Sequence, residues 1–161
     1  MRYRIGFGYD IHRLEKGIPL WLGGVLVSEE MGAVGHSDAD VLIHAVCDGL
    51  LGATGLRDIG VQFPDTSPEY KGISSRILLQ QVMEMIRAKG YRVEQVDSTV
   101  CFESPAISGA IPEMRQILAK ILEITPEEIS VKATTKEGLG ATGRGEGIEA
   151  YAVVLLSKPE S

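Results

Sequence analysis

Residues 138–147 read GLGATGRGEG, and the first six letters satisfy G-x-G-x-x-G, the spelling of a dinucleotide-binding loop. What stands on either side decides the fold. A dinucleotide loop lies between a first strand and a helix, inside a crossover unit with an acidic residue about 20 positions later. Here the preceding ISVKATT (129–135) has strand composition, but the following IEAYAVVLL (148–156) is a second strand, not a helix. Only 14 residues follow Gly147, which leaves no room for the crossover. The glycines are therefore read as serving some other anion, or simply a tight turn around Arg144.

The rest of the chain supplies the elements for that arrangement. RYRIGFGYDI (2–11) alternates Tyr3, Ile5 and Phe7 with Arg2, Arg4 and Gly6, the period of a strand. IPLWLGGVLV (18–27) reads as a second extended segment broken at Gly23-Gly24, one arm of a hairpin, and SEEMGAVGHS (28–37) as loop. A helix is predicted from Ser37, where SDAD resembles a capping box ahead of Val41, Leu42, Ala45, Val46 and Leu50, stopping near Gly52. RDIGVQFPDTSPEYKG (57–72) is a long turn-rich loop, a kind of segment more often functional than idle. Helices at about 74–89 and 111–122, and a strand at 91–102, complete the reading. The expected fold is a single α/β domain over 1–161, an α+β sandwich in which one mostly β layer of about four strands is covered by about three helices.

Composition narrows function by exclusion. A net charge of −6 provides no field for nucleic acid or an anionic membrane, so a polyanionic ligand must be held by local devices such as a metal, backbone N–H groups or a few cations. Cys47 and Cys101 are too few for a disulfide framework and lack metal-ligand spacing, which points to a reducing, cytoplasmic setting. No stretch approaches the ~18 apolar residues of a membrane span, and the N-terminus has no signal-like apolar run.

Three residues have metal-ligand character. Asp10 and His12, two apart at the end of the first strand, point to one face, and Gly6 and Gly8 ahead of them leave room for close backbone approach. His44 lies on the first helix in a stripe with Asp40 and Asp48, carboxylates that can accept its second ring N–H. If Asp10, His12 and His44 converge, they make a one-carboxylate, two-imidazole site with a fourth position open, the arrangement of catalytic zinc. On the residues alone, ordinary helix-surface salt bridges remain the alternative for His44.

GYDIHRL, GHSDADVLIHAVCDGLLGA, RDIGVQFPDT, YKGISS and KATTKEGLGATGRGEGI together resemble the 2-C-methyl-D-erythritol 2,4-cyclodiphosphate synthases, in order, from about residue 3 to 156. The resemblance implies a bacterial, cytoplasmic phosphorus–oxygen lyase of non-mevalonate isoprenoid biosynthesis. It closes a cyclic diphosphate from 4-diphosphocytidyl-2-C-methyl-D-erythritol 2-phosphate and expels CMP. It implies a homotrimer with active sites at the subunit interfaces, one zinc ion per subunit on Asp10, His12 and His44, and magnesium or manganese on the substrate diphosphate near Glu137. His36, with Ser37, is implied to steady the transition state, and Thr135 to contact the diphosphate.

The same resemblance assigns substrate contacts. Ile11 sits between the two first-strand ligands. Asp58, Ile59 and Gly60, with Phe63, Pro64, Asp65, Thr66 and Ser67, match the loop that encloses the erythritol, where Asp58 can bond sugar hydroxyls. The cytidine pocket, completed by a neighbouring subunit, is matched by Phe102, Glu103, Ser104 and Pro105, then Ala106, Ile107 and Ser108. Its second segment is Ala133, Thr134, Thr135, Lys136 and Glu137. Ala141 and Arg144 match positions near the trimer axis, where some members bind an isoprenoid diphosphate. The chain departs from the family's usual residues at Ala106 for a frequent lysine, Ala141 for a bulky aromatic and Tyr151 where some carry glutamate, while Arg57 and Ala39, each in place of glycine, are read as tolerated. The second and third of these weaken the case for an axial ligand. A zinc phosphohydrolase using a metal-bound water, against which stands the lack of an obvious general base beyond Asp48, and a non-catalytic trimeric binding scaffold are the competing classes.

Overall fold

The computed structural model describes residues 2–159. Strand β1 (Tyr3–Lys16) is two-faced in an unexpected sense: Gly6, Gly8, Asp10, His12 and Leu14 turn inward, while Tyr3, Ile5, Phe7, Tyr9 and Ile11 point away from the core. The chain then makes a hairpin, β2 (Leu20–Leu22) and β3 (Val25–Ser28), around Gly23-Gly24. Both glycines have left-handed backbones (φ 57° and 79°), as a two-residue hairpin turn requires. A short strand, β4 (Met31–Ala33), returns to pair with Leu14–Lys16.

Helix α1 (Val41–Ala53) follows, buried on nearly every side between the sheet and a later helix. Leu42, Ile43, Leu50 and Leu51 have no exposed surface, and each contributes roughly 1.5–3 kcal/mol of apolar burial. A single helical turn, α2 (Ile59–Gln62), lies within the long loop. Helix α3 (Ser75–Ala88) buries Leu78, Leu79, Val82, Met83 and Ile86, a helical stripe, and packs this face on α1. Strand β5 (Arg92–Cys101), helix α4 (Ile111–Leu122) and strand β6 (Ile129–Thr134) form a crossover unit, so β5 and β6 pair in parallel. One turn of helix, α5 (Gly140–Gly143), precedes the last strand, β7 (Gly147–Ser157).

The main sheet has the order β4-β1-β7-β5-β6. Strands β1 and β7 run antiparallel along most of their length, with Asp10 opposite Ala150 and His12 opposite Ile148. One sheet face carries α1, with α3 behind it. The other shows solvent a strip that includes Ile5, 72% exposed, and Phe7, 63% exposed.

The layer-and-helices architecture is as expected, with differences of detail. The sheet has five strands rather than about four, and a separate two-stranded hairpin brings the total to seven among the described residues. Residues 18–27 hold both arms of that hairpin instead of one. The stretch 28–37, read as loop, contains β4, a three-residue strand created by its pairing partner and not by its own composition. Helix α1 begins at Val41, four residues later than predicted, because Asp40 rather than Ser37 caps it. The G-x-G-x-x-G spelling is a tight turn: Gly138 and Gly140 are left-handed (φ 74° and 71°), and a Cβ on Gly143 would lie 2.4 Å from the Gly138 carbonyl carbon.

Candidate metal centre

Glycine brings β1 and α1 together. A Cβ at Gly6 would lie 1.8 Å from the Gly49 carbonyl oxygen, and one at Gly8 would lie 1.7 Å from that of Ala45. With no side chains between them, strand and helix backbones touch. The next two inward positions of β1, Asp10 and His12, therefore arrive beside His44.

The three donors converge. Asp10 Oδ2 is 3.0 Å from His44 Nδ1 and 3.0 Å from His12 Nδ1, and all three ligand atoms lie within 4.8 Å of one another. A tetrahedral zinc ion with bonds of about 2.0–2.1 Å holds its donors about 3.3 Å apart, so a slight opening of the cluster accommodates one. His12 Nδ1 is buried and makes no well-aligned hydrogen bond, although the Asp10 carboxylate oxygen lies 3.0 Å away. An imidazole nitrogen, a carboxylate and a second imidazole facing one point are a cation's donor set. The charges respond in kind. Burial works to raise the Asp10 carboxyl, but the His12 and His44 rings outweigh it and hold the group below its ordinary value. Burial works to lower His44, but Asp10 outweighs it and draws the ring above its ordinary value.

The carboxylates expected to flank His44 do other work. Asp40, wholly buried, turns toward the hairpin: it accepts from Ile43 N at 3.0 Å, Gly23 N at 2.9 Å and Gly24 N at 2.7 Å, locking the hairpin to the start of α1. Asp48 accepts from Ile59 N at 2.7 Å and anchors the 58–60 loop to α1. The partner at His44 Nε2 is instead Ser75 Oγ at 2.9 Å, with Ser37 Oγ at 3.1 Å. Sequence reasoning missed Ser75 because it lies 31 residues from His44, and no local spacing marks such a pair.

Around the donors is a cleft of about 230 Å³ whose walls include His36 and Ser37, with Ile59, Gly60, Phe63 and Asp65 from the long loop. Tyr70 and Leu78, not foreseen, complete the apolar side, and Tyr70 packs edge-on to Phe63 with ring centroids 5.4 Å apart. His36 Nε2 donates to the Ser67 carbonyl at 3.1 Å. Asp58 caps α2 through Val61 N at 3.0 Å; with Pro64, Thr66 and Ser67 it borders the loop without lining the cleft. The Ile11 side chain lies on the opposite sheet face.

The remaining expected residues gather elsewhere. Phe102 N donates to Thr134 O at 3.0 Å, and Glu103 accepts from Lys136 N at 2.5 Å, so the two segments expected around cytidine are joined. Ser104, Pro105, Ala106 and Ser108 are in that first segment, while the Ile107 side chain is buried in the core. In the second, Ala133 and Thr134 are exposed, and Thr135 Oγ1 and Glu137 Oε1 are 3.3 Å apart. Glu137 has a left-handed backbone (φ 53°). Ala141 lies in α5, and Arg144 pairs with Glu146 at 2.7 Å on an exposed turn. None of these residues lines the cleft that holds Asp10 within one chain. Cys47 and Cys101 are free and buried. Among the described residues no helix is long and apolar enough to cross a membrane.

Comparison with known proteins adds an independent line. The sequence profile of the YgbB family matches residues 3–157. A 2-C-methyl-D-erythritol 2,4-cyclodiphosphate synthase from Bacteroides fragilis (strain YCH46) is 54% identical over 98% of this chain and 99% of its own length. The bifunctional IspDF from Campylobacter jejuni superposes with a TM-score of 0.94 at 37% identity, over 98% of this chain and 43% of that one. A CDP-bound form of 2C-methyl-D-erythritol-2,4-cyclodiphosphate synthase superposes with a TM-score of 0.88 at 38% identity, over 96% of this chain and 100% of that one.

Proposed function

The chain belongs to the YgbB family, and we propose that it catalyses the cyclisation of 4-diphosphocytidyl-2-C-methyl-D-erythritol 2-phosphate with release of CMP. An oxygen of the 2-phosphate attacks the β-phosphorus, the bond from that phosphorus to the CMP oxygen breaks, and an eight-membered cyclic diphosphate results. In class this is a phosphorus–oxygen lyase. The observation that carries the reading is the convergence of Asp10, His12 and His44 on one point of a cleft in a chain so similar to enzymes of that name.

The nucleophile is already an anion, so the protein needs no base; its task is to bring two negative phosphates together. Asp10, His12 and His44 would hold zinc, and Glu137 a magnesium or manganese ion on the diphosphate. Bound there, the cations neutralise phosphate charge and act as Lewis acids. His36 offers an N–H that can move from the Ser67 carbonyl to a phosphate oxygen, and Ser37 adds a hydroxyl at the same wall. Ile59, Phe63 and Leu78 form an apolar side that excludes water. Asp58 accepts from Val61 N through one oxygen and retains lone pairs for the erythritol hydroxyls.

We assign the cytidine half to a neighbouring copy. Residues 102–108 and 133–137 do not reach the metal cleft in one chain, and the strip through Ile5, Phe7 and Val153 is an apolar face of the kind subunits cover. This supports a homotrimer with shared sites. At the outer face Glu149 accepts from Tyr151 at 2.8 Å and from Thr142, and Lys136 Nζ lies 3.6 Å from it.

Incubation with the diphosphocytidyl substrate and magnesium, followed by 31P NMR, tests the assignment. CMP and cyclic diphosphate in equal amounts are expected. An opened bisphosphate would make the protein a hydrolase, and tight binding without turnover would make it a scaffold.

A further inference from the structure

Behind the donor cluster, two residues with no assigned part in metal or substrate binding converge on the far side of His44. Ser75, the first residue of α3, has no exposed surface. Its backbone N–H donates to Asp38 Oδ2 at 2.9 Å, and its hydroxyl donates to Asp38 Oδ1 in a short contact. Asp38 is itself pinned, since its backbone N–H donates to the Ile73 carbonyl at 3.0 Å.

The direction of this chain of bonds follows from donor and acceptor inventory. An ionised carboxylate only accepts, so the single hydroxyl proton of Ser75 is committed to Asp38. Ser75 Oγ is left with lone pairs facing His44 Nε2 at 2.9 Å, and Nε2 must carry the proton. Ser37 Oγ, 3.1 Å from Nε2, then serves as a second acceptor. The other nitrogen, Nδ1, faces the Asp10 carboxylate at 3.0 Å, where a cation can take the place of the proton that bridges the two.

We propose that Ser75 and Asp38 are positioning residues of the metal centre, holding His44 in the tautomer and orientation that present Nδ1 to the ion. The inference rests on the reading that Asp10, His12 and His44 bind a divalent cation. Partners of this kind commonly govern metal affinity by about 10–100-fold. A merely structural staple between residues 37–40 and α3 would affect stability and leave metal affinity alone.

Zinc affinity measured by competition with a chromophoric chelator, alongside circular dichroism and melting, separates these. Wild type should bind one zinc ion per chain. Ser75→Ala should weaken binding about 10–100-fold while keeping its helical spectrum, and the Ser75→Ala/Asp38→Asn double variant should lose little more, because both act through one bond. A folded Ser75→Ala with zinc affinity within about twofold of wild type overturns the proposal and leaves the metal reading intact. A wild type without zinc overturns both. Should Ser75→Ala fail to fold, 15N imidazole NMR of zinc-loaded wild type decides: a proton on His44 Nε2 is expected, and a metal-bound Nε2 overturns the proposal.

Discussion

The backbone of Gly8 lies so close to Ala45 that a Cβ on the glycine would be 1.7 Å from the alanine carbonyl oxygen. That contact sets the distance between β1 and α1, and with it the meeting of Asp10 and His44. Because the obstructing atom belongs to a helix backbone, no rotamer change can relieve it. Gly8→Ala is expected to destabilise the protein by about 3 kcal/mol, at the upper end of overpacking costs, and to weaken zinc binding as the helix is displaced. Urea unfolding checks this; a loss below about 0.5 kcal/mol would show that the interface has slack.

His44→Ala removes one of three donors from a site formed by two elements. Equimolar zinc should be lost and turnover should fall more than about 100-fold, while the fold survives with a cost of about 2 kcal/mol for a truncated buried side chain. Metal analysis and a CMP-release assay on the same preparation give both numbers. Retained zinc would move the ligand role to another residue.

Some of this was legible in the sequence and some was not, for physical reasons. Asp10 and His12 could be paired because a strand's period is two, and the glycines before them announced close backbone approach. The limits of α4 fell at Ile111 and Leu122 as read, since apolar periodicity and flanking breakers agree there. Alternation at Tyr3, Ile5 and Phe7 revealed a strand but not which face is inward, because Gly6 and Gly8 carry no hydrophobic signal and still face the core. Asp40 looked like a companion of His44 at helical spacing. It is in fact the helix cap, fixed by two glycine N–H groups of a hairpin 16 and 17 residues away. Ser75 and Asp38 meet only through tertiary packing, and a separation of 37 residues leaves no trace in local pattern.

The Glu149–Tyr151 pair, 2.8 Å apart, gives a pH prediction. The hydrogen bond to Glu149, with burial, pushes the Tyr151 phenol from its ordinary 10.0 up to about 12. A raised folded-state value means stability that is fully present below about pH 10 and lost as pH climbs toward 12. Burial opposes ionisation of Glu149, but Thr142 and Tyr151 outweigh it and lower the carboxyl below 4.5, so its contribution is present above that pH and disappears on acidification. Urea midpoints between pH 8 and 12 should fall more steeply for wild type than for Tyr151→Phe. Parallel curves would mean the bond is absent in solution.

Phe7, 63% exposed in one chain, lies on the strip assigned to subunit contact. Phe7→Glu should convert a trimer to monomers in sedimentation velocity and abolish turnover, yet leave each chain folded, because the side chain adds little to its own core. Persistence of the trimer would place the interface on another face.

The central claim is that residues from β1 and α1 hold one cation between them. X-ray diffraction from crystals grown with equimolar zinc, recorded on both sides of the zinc absorption edge, addresses it directly. One anomalous peak per chain is predicted, within bonding distance of an Asp10 oxygen, His12 Nδ1 and His44 Nδ1. A peak on other residues, with these three side chains ligand-free, would contradict the account.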